Sequence, residues 1–254
     1  MVTLAYHLVD RRFYAGITRV TPRAFAAQMS YLSRGGFVCR LPTLPTLPTP
    51  VQDKSGPREI CITFDDGYQC VYDYAYPIME SMQLRGTVFV IAGYVGKTNA
   101  WDVRLSKPVR HMGWGELGAL VRSGWEIGSH SMTHAALSFL SPERLRKEVR
   151  DSKLLLEDRL GCPIRAFSYP FGVLDERLVD KVREAGYQVA FAMYVPPRLR
   201  RAGLSPFNRA RTAVYLTDSM RGFAAKAQGG NGAWQVVVAR VVNFCSRGTI
   251  LLKT

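Results

Sequence analysis

Short apolar runs alternate with helix-period stretches along most of the chain. Val2–Tyr6, Phe37–Leu41, Ile60–Phe64, Thr87–Ala92, Trp125–Ser129, Arg165–Ser168, Val189–Met193 and Ala213–Leu216 are compact and rich in β-branched and aromatic residues, which predicts buried strands. Between them, Thr21-Pro22 opens a helix with Phe25, Met29 and Leu32 on one face and Gly35-Gly36 as its stop. Ser141–Leu160 is the clearest helical period, capped by Ser141 and marked by Leu145, Val149, Leu156 and Leu160. Trp114–Arg122 and Asp175–Ala185 complete the helical set, and Met79 and Met82 read as helix core. Repeated β-α units without a strong linker predict one parallel-stranded α/β domain over residues 1–254. The tripeptide repeat Leu41-Pro-Thr-Leu-Pro-Thr-Leu-Pro-Thr-Pro50 blocks both helix and sheet, so 41–56 reads as a Pro-rich surface loop.

Polar residues with catalytic potential fall where the strands end. His7, Asp65-Asp66, His130 and Tyr169–Phe171 each follow an apolar run directly, and in parallel barrels such ends converge on one face. Two adjacent carboxylates cannot both be buried without compensation, although an Asp-Gly turn with solvated acids remains open for Asp65-Asp66-Gly67. His130 and His134 stand at i and i+4, the spacing that places both rings on one face of a helical turn. With a strand-end carboxylate they form a two-histidine, one-carboxylate set able to hold a metal with open positions. His111, in a basic loop, reads as an exposed residue. Trp101 and Trp114 suit either a sugar-stacking face or ordinary core packing.

Charge and cysteine usage narrow the class further. Lys plus Arg exceed Asp plus Glu by 34 to 20, a net +14. Residues 185–254 hold ten basic side chains and one acid, Asp218. That balance suits an anionic membrane surface or an anionic glycan, or merely a solvated face. Nucleic acid ranks last, because no aromatic-basic interleaving is present. The five cysteines Cys39, Cys61, Cys70, Cys162 and Cys245 are odd in number and lack C-x-x-C spacing, so they read as reduced thiols. The longest apolar runs, such as Val236–Ala239, fall far short of a membrane span, and Met1–His7 lacks a leader pattern. A cytoplasmic protein, at most peripheral to the membrane, is the expectation.

Thr63-Phe64-Asp65-Asp66-Gly67, then His130-x-x-x-His134, then Tyr169-Pro170-Phe171-Gly172 resembles the polysaccharide deacetylase family with the NodB homology domain, carbohydrate esterase family 4. The opening Leu4-Ala5-Tyr6-His7 resembles the branch that includes poly-N-acetylglucosamine deacetylases. The resemblance runs from about residue 2 to about 193. It implies a distorted (β/α)7-type barrel and metal-dependent removal of an N-acetyl group from an amino sugar or N-acetylated glycan. Asp66, His130 and His134 would hold one divalent ion, zinc foremost, with Co2+, Ni2+ or Mn2+ as alternatives. Asp65 would be the general base and the Phe171 N–H would help hold the oxyanion; Tyr169 and Pro170 beside it, and Trp114 by its aromatic face, are the further substrate candidates.

Two departures bear on that assignment. The third motif of the family usually opens with an Arg that orients the base, and Ser168 stands there. The C-terminal Leu-x-His of many members, whose His protonates the leaving amine, has its nearest match in Leu251-Leu252-Lys253. In the branch with an N-terminal Tyr-His motif that His fills the acid role, which implies His7 here; a buried histidine bonded to a carbonyl is its bland alternative. Rival functions are an O-acetyl esterase, a deacetylase of a small or lipid-linked amino sugar, and a catalytically silent, basic glycan-binding protein.

Overall fold

The computed structural model describes residues 1–12, 17–43, 58–99, 108–201 and 205–230. Trp101, Cys245, the Leu251-Leu252-Lys253 match and nearly all of the Pro-rich loop lie outside them. Strands β1 (Val2–Tyr6), β2 (Leu8–Val9) and β3 (Arg19–Val20) precede helix α1 (Pro22–Arg34) and β4 (Phe37–Cys39). Then come β5 (Arg58–Phe64), a π-helical turn (Val71–Ala75) running into α2 (Tyr76–Glu80), β6 (Thr87–Val90), α3 (Trp114–Arg122) and β7 (Glu126–Ser129). The second half holds α4 (Pro142–Arg146), a π-helical turn (Lys147–Asp151), α5 (Ser152–Leu160), β8 (Ala166–Ser168), α6 (Glu176–Glu184) and β9 (Val189–Ala192). It closes with α7 (Pro197–Arg201), β10 (Arg209–Ala210), β11 (Thr212–Ala213) and α8 (Met220–Ala227).

The main sheet is wholly parallel, in the order β10-β9-β8-β7-β6-β5-β1-β11, with β4 also on β5. Its two ends, β10 on β9 and β11 on β1, are separated in the chain by Arg211 alone. Residues 209–213 therefore act as one stave, and with β1, β5, β6, β7, β8 and β9 they nearly close a barrel with a single seam.

Side chains alternate between the two faces of each strand. Leu4 and Tyr6, Ile60, Ile62 and Phe64, Val88 and Val90, Ile127, Phe167, and Ala190 and Ala192 belong to one buried cluster with the helices' Phe25, Met29, Leu117, Leu145, Leu156, Leu178 and Phe223. The opposite register packs Phe89, Ala166, Val189 and Phe191 together inside the barrel. That inner register continues to His7, Asp65, His130 and Ser168, so the period of two aims all four inward at the C-terminal rim.

Local signals act as expected at several ends. Thr21 Oγ1 accepts from the Ala24 N–H at 3.2 Å, with Pro22 in the first turn, and Ser141 Oγ accepts from Arg144 N. Other expectations need correction. Ser141–Leu160 is not one regular helix but is interrupted by the π turn. The expected strand at Ala213–Leu216 is only Thr212–Ala213, because its pairing with β1 ends at Ala5. The four described cysteines are free thiols; Cys61 and Cys70 are buried, Cys39 and Cys162 half-buried.

Candidate active site

The Asp65-Asp66-Gly67 turn begins where β5 ends, with Asp65 N–H donating to the Tyr6 carbonyl of β1 at 2.9 Å. Asp65 is 2 % exposed, and Arg211, on the seam, meets it with two parallel bonds: Nη1 to Oδ1 at 2.8 Å and Nη2 to Oδ2 at 2.7 Å. Nη1 also donates to Thr63 Oγ1 at 3.1 Å and Nη2 to Ser168 Oγ at 2.7 Å. The guanidinium lies 5.3 Å from the Phe89 ring centroid and 5.9 Å from that of Phe191, which shields the pair from water. Burial alone would raise the Asp65 pKa, but the Arg211 charge, aided by His130, the Arg211 hydrogen bonds and His7, holds it well below the usual carboxylate range.

Ser168 therefore does not leave Asp65 without a guanidinium. The arginine arrives from a different stave, 146 residues along the chain from Asp65, and Ser168 is one of its acceptors. Arg211 is a partner of Asp65 that no motif in the sequence announces. Its only signal was a basic residue inside the strand-like stretch Ala210-Arg211-Thr212-Ala213, which composition counts as part of a basic tail. That tail is correspondingly less of a surface: Arg211 is inside the barrel, and Lys226 is 2 % exposed, paired with Asp218 and donating to the Ala213 carbonyl at 2.8 Å.

Asp66 faces away from Arg211 toward two imidazoles. Its Oδ1 lies 3.5 Å from His130 Nε2 and 3.6 Å from His134 Nε2, and one ligand atom from each of the three falls within 4.8 Å of the others. His130 Nδ1 lies 2.8 Å from the Ser168 carbonyl, an acceptor only. Nδ1 must carry the proton, which leaves the Nε2 lone pair directed at the cluster. A buried set of one carboxylate oxygen and two imidazole nitrogens, with a tautomer fixed by its outer partner, suits a divalent ion of the zinc type. Burial, opposed by Asp65 and the Ser168 carbonyl, lowers the His130 pKa to about 4, so the ring is neutral and able to ligate at neutral pH.

The histidine pair does not sit on a helical turn, as its spacing suggested. Residues 130–136 are non-helical, and Ser131 and His134 have left-handed φ values of 68° and 59°. Asp66 (69°) and Phe171 (58°) share that conformation, so four of the five non-glycine residues with positive φ among the described residues line this one site. Such backbones cost on the order of 1–3 kcal/mol each and cluster where surrounding contacts over-determine them. At Gly172 (φ 64°) a Cβ would lie 2.5 Å from Met193 Cβ, so glycine is required beside Phe171.

His7 Nε2 is 3.9 Å from Asp65 Oδ2, with the His7 side chain 26 % exposed. The Phe171 ring packs edge-on against His134, centroids 4.6 Å apart. Tyr169 and Pro170 are buried, and the Tyr169 hydroxyl donates to the Phe207 carbonyl at 3.0 Å, so its side chain is part of the packing beneath the rim. Trp114 opens α3, partly packed on the core, with the Arg159 guanidinium 5.7 Å from its ring. His111 is not exposed as expected but 2 % exposed; its ring stacks on Tyr68, and Nδ1 lies 2.8 Å from the Asp66 carbonyl. It is a buried anchor of the Asp66 turn, placed there because residues 108–112 lie alongside the turn, with Gln69 N–H bonding to Arg110 and Met112 N–H to Gly67.

A parallel barrel with a clamped carboxylate and an Asp-His-His cluster at its C-terminal rim defines a class of hydrolases. The polysaccharide deacetylase family model matches residues 52–190, and the chain belongs to that family. YxkH of Bacillus subtilis, itself assigned to the polysaccharide deacetylases, is 26% identical over 219 residues, 86% of this chain and 74% of YxkH. A poly-beta-1,6-N-acetyl-D-glucosamine N-deacetylase of Staphylococcus epidermidis is 26% identical over 145 residues, 54% of this chain and 48% of that enzyme. The chain thus spans about half the length of that relative. The solved structure of IcaB from Ammonifex degensii superimposes with a TM-score of 0.70 at 27% identity, covering 89% of this chain and 96% of IcaB. The protein is a deacetylase-family hydrolase, and the expected barrel fold is the one observed.

Proposed function

We propose that the protein hydrolyses the N-acetyl group of a glucosamine-type glycan, with Asp65 as base and His7 as acid. The observation that carries the proposal is the division of the two adjacent carboxylates, one clamped by Arg211 and the other turned to two imidazoles. Asp66, His130 and His134 would hold a divalent ion. When bound, that ion supplies Lewis-acid polarisation of the acetyl carbonyl and acidifies the attacking water. Asp65, fully ionised and fixed by two bonds, takes the proton from that water as the new C–O bond forms. Phe171 is second in a short 3-10 turn (Pro170–Gly172), where a backbone N–H has no acceptor within the turn, so it is available to the developing oxyanion. His7 delivers a proton to the sugar nitrogen as the C–N bond breaks, leaving acetate and a free amine. Burial lowers its pKa, with Asp65 pulling it up and Arg211 adding to the lowering.

The glycan assignment rests on the named substrate of the Staphylococcus epidermidis relative. Exposed basic side chains outside the barrel, such as Arg198 and Arg221, remain candidates for holding an anionic surface nearby.

Acetate release from N-acetylglucosamine oligomers and from O-acetyl esters, with and without added metal, tests the reading. Asp65→Asn should keep the metal and lose about 10²–10⁴ in kcat, the span of one acid–base group. His134→Ala should lose both metal and activity. His7→Ala should lose a similar factor on the amide and much less on an activated ester, whose leaving group needs no proton. Equal losses on both substrates would remove His7 from the acid role, and ester turnover alone would replace the N-deacetylase with an esterase.

A further inference from the structure

The loop His130–His134 has no regular structure, yet each of its backbone N–H groups has an acceptor. His130 N–H bonds to the Val90 carbonyl at 2.8 Å, Ser131 N–H to Ser129 Oγ at 3.2 Å, and His134 N–H to Ser131 Oγ at 3.0 Å. The two middle groups, Met132 N–H at 3.0 Å and Thr133 N–H at 2.8 Å, converge on a single oxygen, Oε2 of Glu148. The other oxygen, Oε1, accepts the Thr133 hydroxyl at 2.5 Å. Glu148 belongs to the π-helical turn of Lys147–Asp151, a rare geometry that recurs at functional sites. It is 8 % exposed, on the face that also buries Leu145, Val149 and Ser152, and no basic side chain pairs with it among the described residues. A carboxylate in such a position is expensive to bury and is offset by its three charge-assisted bonds. From the opposite side Gly93 donates to the Met132 carbonyl at 2.9 Å, and a Cβ there would lie 2.6 Å from that oxygen.

We infer that Glu148 is the positioning residue of the metal loop. By gathering two successive N–H groups and a hydroxyl, it imposes the left-handed turns at Ser131 and His134 that swing the His134 ring back toward Asp66 and His130. Glu148 touches neither substrate nor ion, and it acts through the backbone of the loop. The inference rests on Asp66, His130 and His134 binding a divalent ion.

What matters on this reading is the reach of the acceptor, which separates three variants. Glu148→Gln keeps the length and one acceptor oxygen for both N–H groups. Glu148→Asp keeps the charge but withdraws it by one methylene, and Glu148→Ala removes it. Zn2+ and Co2+ affinity would be measured by chelator competition, with the Co2+ visible spectrum as a second reading of ligand geometry and thermal unfolding as a check on folding. Outer-shell partners of this kind typically contribute 10–100-fold to metal affinity. Glu148→Asp and Glu148→Ala should therefore lose about 10–100-fold and alter the Co2+ spectrum, and Glu148→Gln should stay within about threefold of wild type. If Glu148→Ala does not fold, Glu148→Asp decides. Wild-type affinity and spectrum in a folded Glu148→Asp protein overturn the inference, as does a loss in Glu148→Gln equal to that in Glu148→Asp. If the unaltered protein binds neither ion, or His134→Ala binds as tightly as wild type, the metal reading itself fails instead.

Discussion

Two loops build this site, and they are held in opposite ways. The side chains that hold the backbone of the His130–His134 loop are near in the chain: Ser129, Ser131 and Glu148 lie 2, 3 and 15–16 residues from the groups they bond. Its backbone also pairs with Val90, Ala92 and Gly93, at and beyond the end of the neighbouring strand. The Asp65–Gly67 turn is fastened from afar, by His111 at 45 residues and Arg211 at 146. In the first loop the side-chain acceptors are local, hydroxyls and a carboxylate on the adjoining strand and helix. The second exists only once the barrel has closed, because Arg211 sits on the seam where the two ends of the sheet meet.

Breaking the seam should have the largest effect. Arg211→Ala leaves the Asp65 carboxylate buried and unpaired, and removing one partner of such a pair costs roughly 3–5 kcal/mol. Urea unfolding would measure it. In an Asp65→Asn background the same substitution should cost less, since the orphaned group is then neutral. Additive losses in the double variant would show that Arg211 acts by packing on Phe89 and Phe191 instead.

The other distant anchor titrates. Burial pushes the His111 pKa down to about 4, with the bond to the Asp66 carbonyl pulling the other way. The unfolded chain, near 6.5, then binds a proton that the folded protein refuses. Stability from this group is complete above about pH 6.5 and is lost as pH falls toward 4, at most about 3 kcal/mol. His111→Gln, a neutral residue, should therefore flatten the stability profile of the metal-free protein between those values. A parallel profile in both proteins would place the acid sensitivity elsewhere.

The local loop should yield the smallest change. Ser131→Ala removes the acceptor of the His134 N–H and leaves a buried donor, worth roughly 1–3 kcal/mol. Because Glu148 still holds Met132 and Thr133, the loss should stay near the lower end, with metal affinity reduced less than in Glu148→Ala. A loss as large as that of Arg211→Ala would erase the distinction between the two loops.

Much of this protein follows from the chain read alone. The alternation in β1, β5, β6, β7, β8 and β9 settles which side chains face the helices and which face inward, because a strand has a period of two. The same pattern puts His7, Asp65-Asp66 and His130 directly after apolar strands, and so on one rim of a parallel barrel. What the chain could not disclose are contacts whose partners are distant in sequence and unremarkable in type. Arg211 reads as one more cation in a basic tail, His111 as a polar loop residue, and Glu148 as a charge on a helix. The histidine spacing even suggested the wrong local geometry, since i, i+4 fits a helix, while the real loop turns through left-handed residues held by Glu148 and Ser131. Periodicity is a local property that the backbone enforces residue by residue. Burial and pairing of a charge depend on which surfaces meet, and only the closed barrel decides that.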